Sequence, residues 1–300
     1  MKKMLFTGAS GFLGNHIKPL LREQYDITTL GITEQDDLRV NLAKEIPSLP
    51  AGFDLVLHAA GKAHVVPKTA AEIQSFYDVN LTGTKNLCAA LEASESLPKA
   101  LIFLSTVAVY GCDTGTLIDE RHPLEGTSPY ADSKIQAERF LQTWCEEHGV
   151  LLGILRPALI AGPNAIGNLG AMVNGIQRGR YCSVAGGRAR KSMLMVQDIA
   201  NLIPLVEAKG GIYNICDSHH PSFAELEAVI AQQLGKRRPL NIPYWLAKSM
   251  ALVGDCLGKK APINSYRLAK ITEAMTFSNQ KAVKELGWTP LDVLENYHIE

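Results

Sequence analysis

The chain has 300 residues, 46% of them apolar and 20% charged, with no formal net charge. That composition suits a soluble globular protein with room for one large or two small domains, and it argues against disorder. No basic tail is present and no run of 18 apolar residues occurs, so the expectation is no nucleic-acid partner and no membrane partner. Six scattered cysteines without a short pair read as reduced thiols of a cytoplasmic protein, and eight histidines show no metal-ligand spacing.

Lys3 to Thr7 is an apolar run that reads as a buried strand, followed by a glycine turn and a helix over Phe12 to Glu23. Strands follow at Asp26 to Leu30 and Asp54 to His58, then a helix over Phe76 to Ser94. Next come a strand at Ala100 to Ser105, a long helix over Pro129 to Glu147 and a strand at Val150 to Arg156. Strands alternating with helices imply right-handed crossovers and a parallel sheet covered on both faces. The character changes after Pro157. A Gly/Pro-rich loop leads to a helix over Leu169 to Arg178, a strand at Met193 to Val196, a helix over Asp198 to Ala208, and a strand at Ile212 to Ile215. Helices over Phe223 to Leu234 and Trp245 to Leu257 follow. The last is apolar but lacks the basic face that a membrane anchor needs, which favours packing against another part of the chain over a membrane contact. The fold class expected is α/β, a Rossmann-type doubly wound parallel sheet with a smaller C-terminal α/β substrate-binding domain. Residues 1–165 would form the dinucleotide-binding domain, with 194–217 returning to it, and 166–300 mainly the substrate domain.

Gly8, Gly11 and Gly14 follow a strand and open a helix. Such a turn lets backbone N–H groups approach a pyrophosphate, and the helix N-terminus adds partial positive charge. The spacing is Gly-x-x-Gly-x-x-Gly rather than Gly-x-Gly-x-x-Gly. The second strand ends in Leu30-Gly31-Ile32-Thr33, with neither the acid that holds ribose hydroxyls nor an arginine for a 2′-phosphate. NAD and NADP therefore both stay open, with NAD slightly preferred.

Tyr130 and Lys134 lie one helical turn apart. A phenol titrates near 10, so a base working near neutrality needs a neighbouring cation, and the lysine four residues on supplies it. Ser105 and Thr106, at a strand end, can align a substrate alcohol.

Together these segments resemble the extended short-chain dehydrogenase/reductases, in the nucleotide-sugar epimerase/dehydratase branch. The likeness rests on Thr7-Gly-Ala-Ser-Gly-Phe-Leu-Gly14, His58-Ala-Ala-Gly61, Asn80-Leu-Thr-Gly-Thr84, Ser105-Thr-Val-Ala-Val-Tyr-Gly111, Tyr130-Ala-Asp-Ser-Lys134, Leu155-Arg-Pro157, Gly162-Pro163, Val196-Gln-Asp198 and Leu286-Gly-Trp288. The resemblance implies that Gly8, Ser10, Gly11, Phe12, Leu13 and Gly14 hold the pyrophosphate and that Asn41 and Leu42 lie beside the adenine. Asn41 replaces the family's usual aspartate. His58, Ala59, Ala60 and Gly61 would pass under the cofactor, Pro157 would flank the nicotinamide, and Asn80 would brace the site. Thr106, Tyr130 and Lys134 match the catalytic triplet, with Tyr130 and Lys134 also touching the cofactor. On the substrate side it implies Lys62, His64, Asn168, Leu169, Lys191 and Arg267 beside Thr106.

Val107-Ala108 follow Thr106 where the family's 4,6-dehydratases carry Asp-Glu, which disfavours dehydration. What remains is oxidation or reduction at carbon 4. Lys62-Ala-His64, Lys191-Ser192 and the Phe223-Ala-Glu-Leu helix resemble the subgroup acting on UDP-N-acetyl amino sugars in surface-polysaccharide synthesis, which implies a 4-epimerase or a 4-ketoreductase using NADPH. An NADP-sensing regulator of the same fold would lack the Tyr/Lys pair that this chain keeps. The resemblance also implies a homodimer formed through the Phe76–Ser94 and Pro129–Glu147 helices.

Overall fold

A computed structural model describes residues 1–63, 65–164, 167–257 and 263–299. Its first half alternates strand and helix. The elements are β1 (Lys2–Thr7), α1 (Phe12–Leu21), β2 (Tyr25–Gly31), β3 (Leu38–Arg39), β4 (Leu55–His58), α2 (Ala70–Tyr77), α3 (Gly83–Glu92) and β5 (Ala100–Leu104). They continue with β6 (Gly115–Ile118), α4 (Pro129–His148) and β7 (Leu151–Pro157). The second half holds β8 (Leu159–Ala161), α5 (Gly167–Gln177), β9 (Cys182–Val184), β10 (Met193–Met195), α6 (Val196–Lys209), β11 (Gly211–Ile215) and α7 (Phe223–Gln233). It ends with β12 (Leu240–Ile242), α8 (Tyr244–Leu257), α9 (Ser265–Thr272), β13 (Met275–Phe277), α10 (Gln280–Leu286) and α11 (Val293–Asn296).

Seven strands form one parallel sheet in the order β11-β7-β5-β4-β1-β2-β3. The chain runs outward from β1 to β3 and then returns to β1's other side with β4. The order therefore reverses between β1 and β4, and ligands of open α/β sheets bind at the carboxyl ends beside such a point. Thr7 pairs with His58 there, and Leu104 with Leu155 further along the same edge. The sheet is sealed on both faces, as the unbroken apolar strand β5 requires. Ile17, Leu21, Ile199 and Ile203 of α1 and α6 close one face. Leu87, Leu91, Leu141 and Trp144 of α3 and α4 close the other. A second apolar core joins α5, α7, β10 and α11 through Leu169, Met172, Met195, Leu226 and Val293.

Three segments differ from the sequence expectation. The helix predicted over 76–94 begins at Ala70, because Thr69 and Glu72 form a capping box. It then passes through a π-helical turn at Asp78–Thr82 before α3. The strands β3, β6, β8, β9, β12 and β13 are two to four residues long, too short to show a period. Helix α8 lies where predicted and packs on α9 as expected, but through Ala247 and Ala251, while its bulky side chains stay exposed.

A charged network lies beneath the sheet's carboxyl edge. Arg156 of β7 donates to Glu138 of α4 through Nη2 (2.5 Å) and Nε (3.1 Å), and through Nη1 to the Tyr110 hydroxyl (2.9 Å). Ser105 donates to the same carboxylate, and Tyr110 to Asn214 at 2.6 Å. Both ions are almost wholly buried, so removing one strands the other. Arg156→Met should cost about 3–5 kcal/mol in urea unfolding, and Glu138→Gln added to it should recover part of that loss. A neutral single variant would show the pair to be dispensable.

Candidate active site

The carboxyl edge collects most of the residues singled out in the sequence. After β1, Gly8 turns with φ +77°, and a Cβ there would sit 2.6 Å from the Ala60 nitrogen, so the turn lies directly on the Ala59–Ala60 segment. Gly14 lets α1 approach its own turn; a Cβ would stand 2.4 Å from the Ala9 carbonyl oxygen. Gly11 is the N-cap of α1 and supplies no side-chain acceptor. The first N–H groups of that helix, those of Phe12 and Leu13 among them, lack intrahelical partners, and Gly11 presents no side chain in front of them. A helix start of this kind suits an anion. Ser10 lies in the same turn, and its carbonyl accepts from Asn15 at 3.0 Å.

His58, at the end of β4, is fully buried. Its Nδ1 lies 2.7 Å from the Thr7 hydroxyl and its Nε2 2.9 Å from that of Thr84. The ring is thus sealed, leaving only the backbone of His58 through Gly61 to border a ligand. Burial, with the Lys134 charge nearby, pushes its pKa down to about 3. Asn80, also fully buried, accepts from the Lys62 N–H (2.7 Å) and donates to the Lys62 carbonyl (3.2 Å) and to Ser133 (2.9 Å). It ties the turn after β4 to α4, and all its polar atoms are spent on that brace. It sits in the π-helical turn, which aims it inward. The Lys62 ammonium reaches Ser75 of α2 at 2.7 Å.

Helix α4 carries Tyr130 and Lys134. Ser128 accepts from the Ala131 N–H and Pro129 fills the first position, which fixes Tyr130 in the first turn. Burial pushes the Tyr130 phenol up, while a hydrogen bond with Thr106 pulls it partly back. Thr106 follows β5 and caps the 3₁₀ turn Val107–Tyr110, accepting from the Ala108 N–H at 3.1 Å. Lys134, one turn beyond Tyr130, is buried. It donates to the Leu104 carbonyl at 2.8 Å and lies 4.4 Å from the centre of the Phe103 ring. Burial lowers its pKa to about 8 against the opposing pull of Glu138. A Cβ on Gly61 would approach the Lys134 ammonium to 3.1 Å and the Asn80 carbonyl oxygen to 3.2 Å. Glycine is therefore needed where the β4 loop crosses α4. Pro157, at the end of β7, is buried on the same edge and pairs with Ile215.

The remaining predicted residues lie further out. Asn41 caps its own turn, accepting from the Ala43 N–H at 3.0 Å, and Leu42 is buried with its carbonyl held by Asn86. Asn168 is exposed near the start of α5, while the Leu169 side chain is packed in the second core. Lys191 is half-buried, and burial and the Lys270 charge lower its pKa. Arg267 is exposed in the first turn of α9, where its N–H is capped by Asn264. His64 lies outside the described residues.

Two residues were not found by reading the sequence. Asp36 accepts from the Thr33 N–H (3.0 Å) and hydroxyl (2.7 Å), and this turn brings its carboxylate back against Gly31, where a Cβ would lie 2.4 Å from it. The end of β2 thus has an acid after all, five residues late in the chain. The Thr33-x-x-Asp36 spacing was the available signal. Lys270 of α9 pairs with Asp113 at 3.1 Å and adds a second cation beside Lys191.

The model of the NAD dependent epimerase/dehydratase family matches residues 4–216. The N-acetyl-alpha-D-glucosaminyl-diphospho-ditrans,octacis-undecaprenol 4-epimerase of Escherichia coli O157:H7 is 32% identical over 299 residues, covering 93% of this chain and 88% of the relative. The UDP-glucose 4-epimerase of Vibrio cholerae is 27% identical over 319 residues, covering 98% and 92%. The solved UDP-glucose 4-epimerase of Thermotoga maritima shares the fold, with TM-score 0.72, 19% identity and coverage of 98% and 95%.

His58 gives the site an acid limit. The free imidazole titrates near 6.5 and the buried one at about 3, so between those values the unfolded chain binds a proton that the folded chain refuses. This contribution is intact above pH 6.5 and is lost as pH falls, by about 1.4 kcal/mol per unit. Urea denaturation at pH 6.5 and 4.5 should show wild type losing roughly 2–3 kcal/mol more than His58→Gln. Equal losses would mean that the ring accepts its proton without unfolding.

Proposed function

This chain belongs to the NAD dependent epimerase/dehydratase family, and from that membership we propose that it oxidises and re-reduces carbon 4 of a diphosphate-linked sugar. The reading is a UDP-N-acetylhexosamine-type 4-epimerase serving surface-polysaccharide synthesis. Its main support is one arrangement: the phenol of Tyr130 beside Thr106 just after β5, with a buried cation one turn away and Val107-Ala108 where a dehydratase needs two acids.

A nicotinamide dinucleotide fits the edge described, because the uncapped start of α1 and its glycine turn offer N–H donors that no side chain fills. Gly8, Ser10, Gly11, Phe12, Leu13 and Gly14 would hold its pyrophosphate, and when bound it supplies a hydride acceptor and donor. NAD rather than NADP is favoured by the Asp36 carboxylate at the end of β2, where an acid bonds ribose hydroxyls and repels a 2′-phosphate.

Thr106 would orient the sugar's 4-hydroxyl. Tyr130, as phenolate, would take its proton and later return it to the 4-oxygen of the turned 4-keto sugar, whose opposite face would by then be the one open to hydride. Lys134 would favour the phenolate, once formed, by placing positive charge on the same helix face. Lys191, with Lys270 and Arg267 on the neighbouring helix, would neutralise the diphosphate. Undecaprenol carries the sugar of the E. coli relative through the same diphosphate, so these cations would serve a nucleotide or a lipid carrier alike.

Denatured, purified protein should release NAD in roughly one-to-one amount, as an internally regenerated cofactor requires. Native protein should interconvert UDP-N-acetylglucosamine and UDP-N-acetylgalactosamine or their lipid-diphosphate equivalents. Tyr130→Phe should slow turnover by about 10²–10⁴-fold while keeping the nucleotide. A protein free of nucleotide that takes up NADPH and reduces a 4-keto sugar in one direction would replace this reading with the ketoreductase.

A further inference from the structure

Helix α8 faces the wrong way for a helix that serves only its own fold. Toward the protein it turns Ala247, Ala251 and Gly254, and the two alanines close a small core with Leu268 of α9. Opposite them Trp245, Leu246, Leu252 and Val253 stand in water, Trp245 69% and Val253 61% exposed, with Met250 at their flank. Recurring at three- and four-residue intervals, these side chains form one apolar stripe. A contiguous apolar face left uncovered marks a contact surface.

The surrounding charge says what kind of surface it meets. Lys236, Arg237 and Arg238 are all exposed immediately before β12, and Lys248 is exposed on α8 itself. Between the basic run and the helix, Leu240 is 81% exposed. The single carboxylate from 236 to 257, Asp255, is engaged by the N–H and hydroxyl of Ser265 at 3.0 and 2.5 Å. Helix α8 itself carries one cation, Lys248; the run Lys236–Arg238 preceding β12 supplies the others. Exposed tryptophan and aliphatic side chains beside unpaired-in-sequence cations match an interface that is apolar within and anionic at its rim.

We propose that α8, with Lys236–Arg238, is the face by which this protein docks on an anionic phospholipid bilayer, lying in the headgroup boundary. Among the described residues no helix is long and apolar enough to cross a membrane, which fits a helix that lies on the surface. Helix α8 packs on α9, whose Lys270 holds Asp113 beside Lys191. The docked face is therefore one helix away from the cations assigned to the diphosphate. A sugar diphosphate with a lipid tail would reach the site from that side. This last consequence rests on the carbon-4 reading; the docking does not.

The face contains its own probe. Trp144 and Trp288 are 4% and 3% exposed, so among the three tryptophans Trp245 alone reports on it. The intact protein is floated, without sugar or added nucleotide, on vesicles of phosphatidylcholine alone or with about a quarter phosphatidylglycerol, in about 0.1 M salt. The wild type should float with the anionic vesicles at least about tenfold better than with the neutral ones, and brominated acyl chains should quench its emission. W245E/V253E should abolish flotation and quenching, and K236E/R237E/R238E should abolish the preference for anionic lipid. Circular dichroism and retained nucleotide verify that each variant is folded. Wild-type protein that floats with neither vesicle overturns the proposal. So does a concentration-dependent association in light scattering that W245E removes, because a second copy would then cover the face. Because no substrate is present, failure here leaves the carbon-4 reading intact, and an inactive enzyme leaves the docking intact.

Discussion

A lysine ammonium buried at the end of a parallel sheet is the constraint around which this protein is arranged. Lys134 is taken out of water, and burial favours its loss of a proton. The fold compensates with the Leu104 carbonyl, the face of Phe103 and the Glu138 carboxylate one turn further along α4. Glu138 is itself balanced by Arg156, and Arg156 by Tyr110, so the charge at the site is supported through β7 to the sheet edge at Asn214. The same cation shapes its other neighbours. Gly61 must lack a side chain to pass it, and His58 stays neutral near it. Asn80 holds the crossing in place from the π-helical turn.

Much of this is legible in the sequence, and the reasons are local. Strand β5 is five apolar residues buried on both faces, and α4 is long and opens with Ser128-Pro129, so each announces itself within a few residues. The glycine turn, Thr106, Tyr130 and Lys134 lie at strand ends or on helix faces whose geometry follows from period alone. What was illegible depends on the chain folding back. Asp36 reaches the end of β2 only because Thr33 turns the backbone, and Lys270 meets Lys191 only because α9 packs across from the Asp113 loop. Which face of α8 packs was illegible for a different reason. An apolar helix looks the same in sequence whether its bulky residues point inward or outward, and here only the alanines are buried.

The two cores divide the labour of the site. The sheet fixes Thr7, His58, Leu104 and Pro157 at the ends of β1, β4, β5 and β7, and α4 packs across that edge to bring Tyr130 and Lys134 to it. The later elements bring Lys191, Arg267 and Lys270 from a bridge and a helix. Specificity carried on such elements can change without disturbing the sheet, and members of one family can thus act on different sugars and carriers.

The pH profile of kcat/KM, compared between wild type and Lys134→Met, tests most directly whether the buried ammonium sets the phenol to work. With the cation present, the group that must lose its proton should titrate well below the ordinary tyrosine value of about 10. Without it, that limb should move upward by a unit or more as residual activity falls. An active Lys134→Met enzyme with an unshifted profile would contradict the account, because the phenol would then owe its reactivity to something other than Lys134.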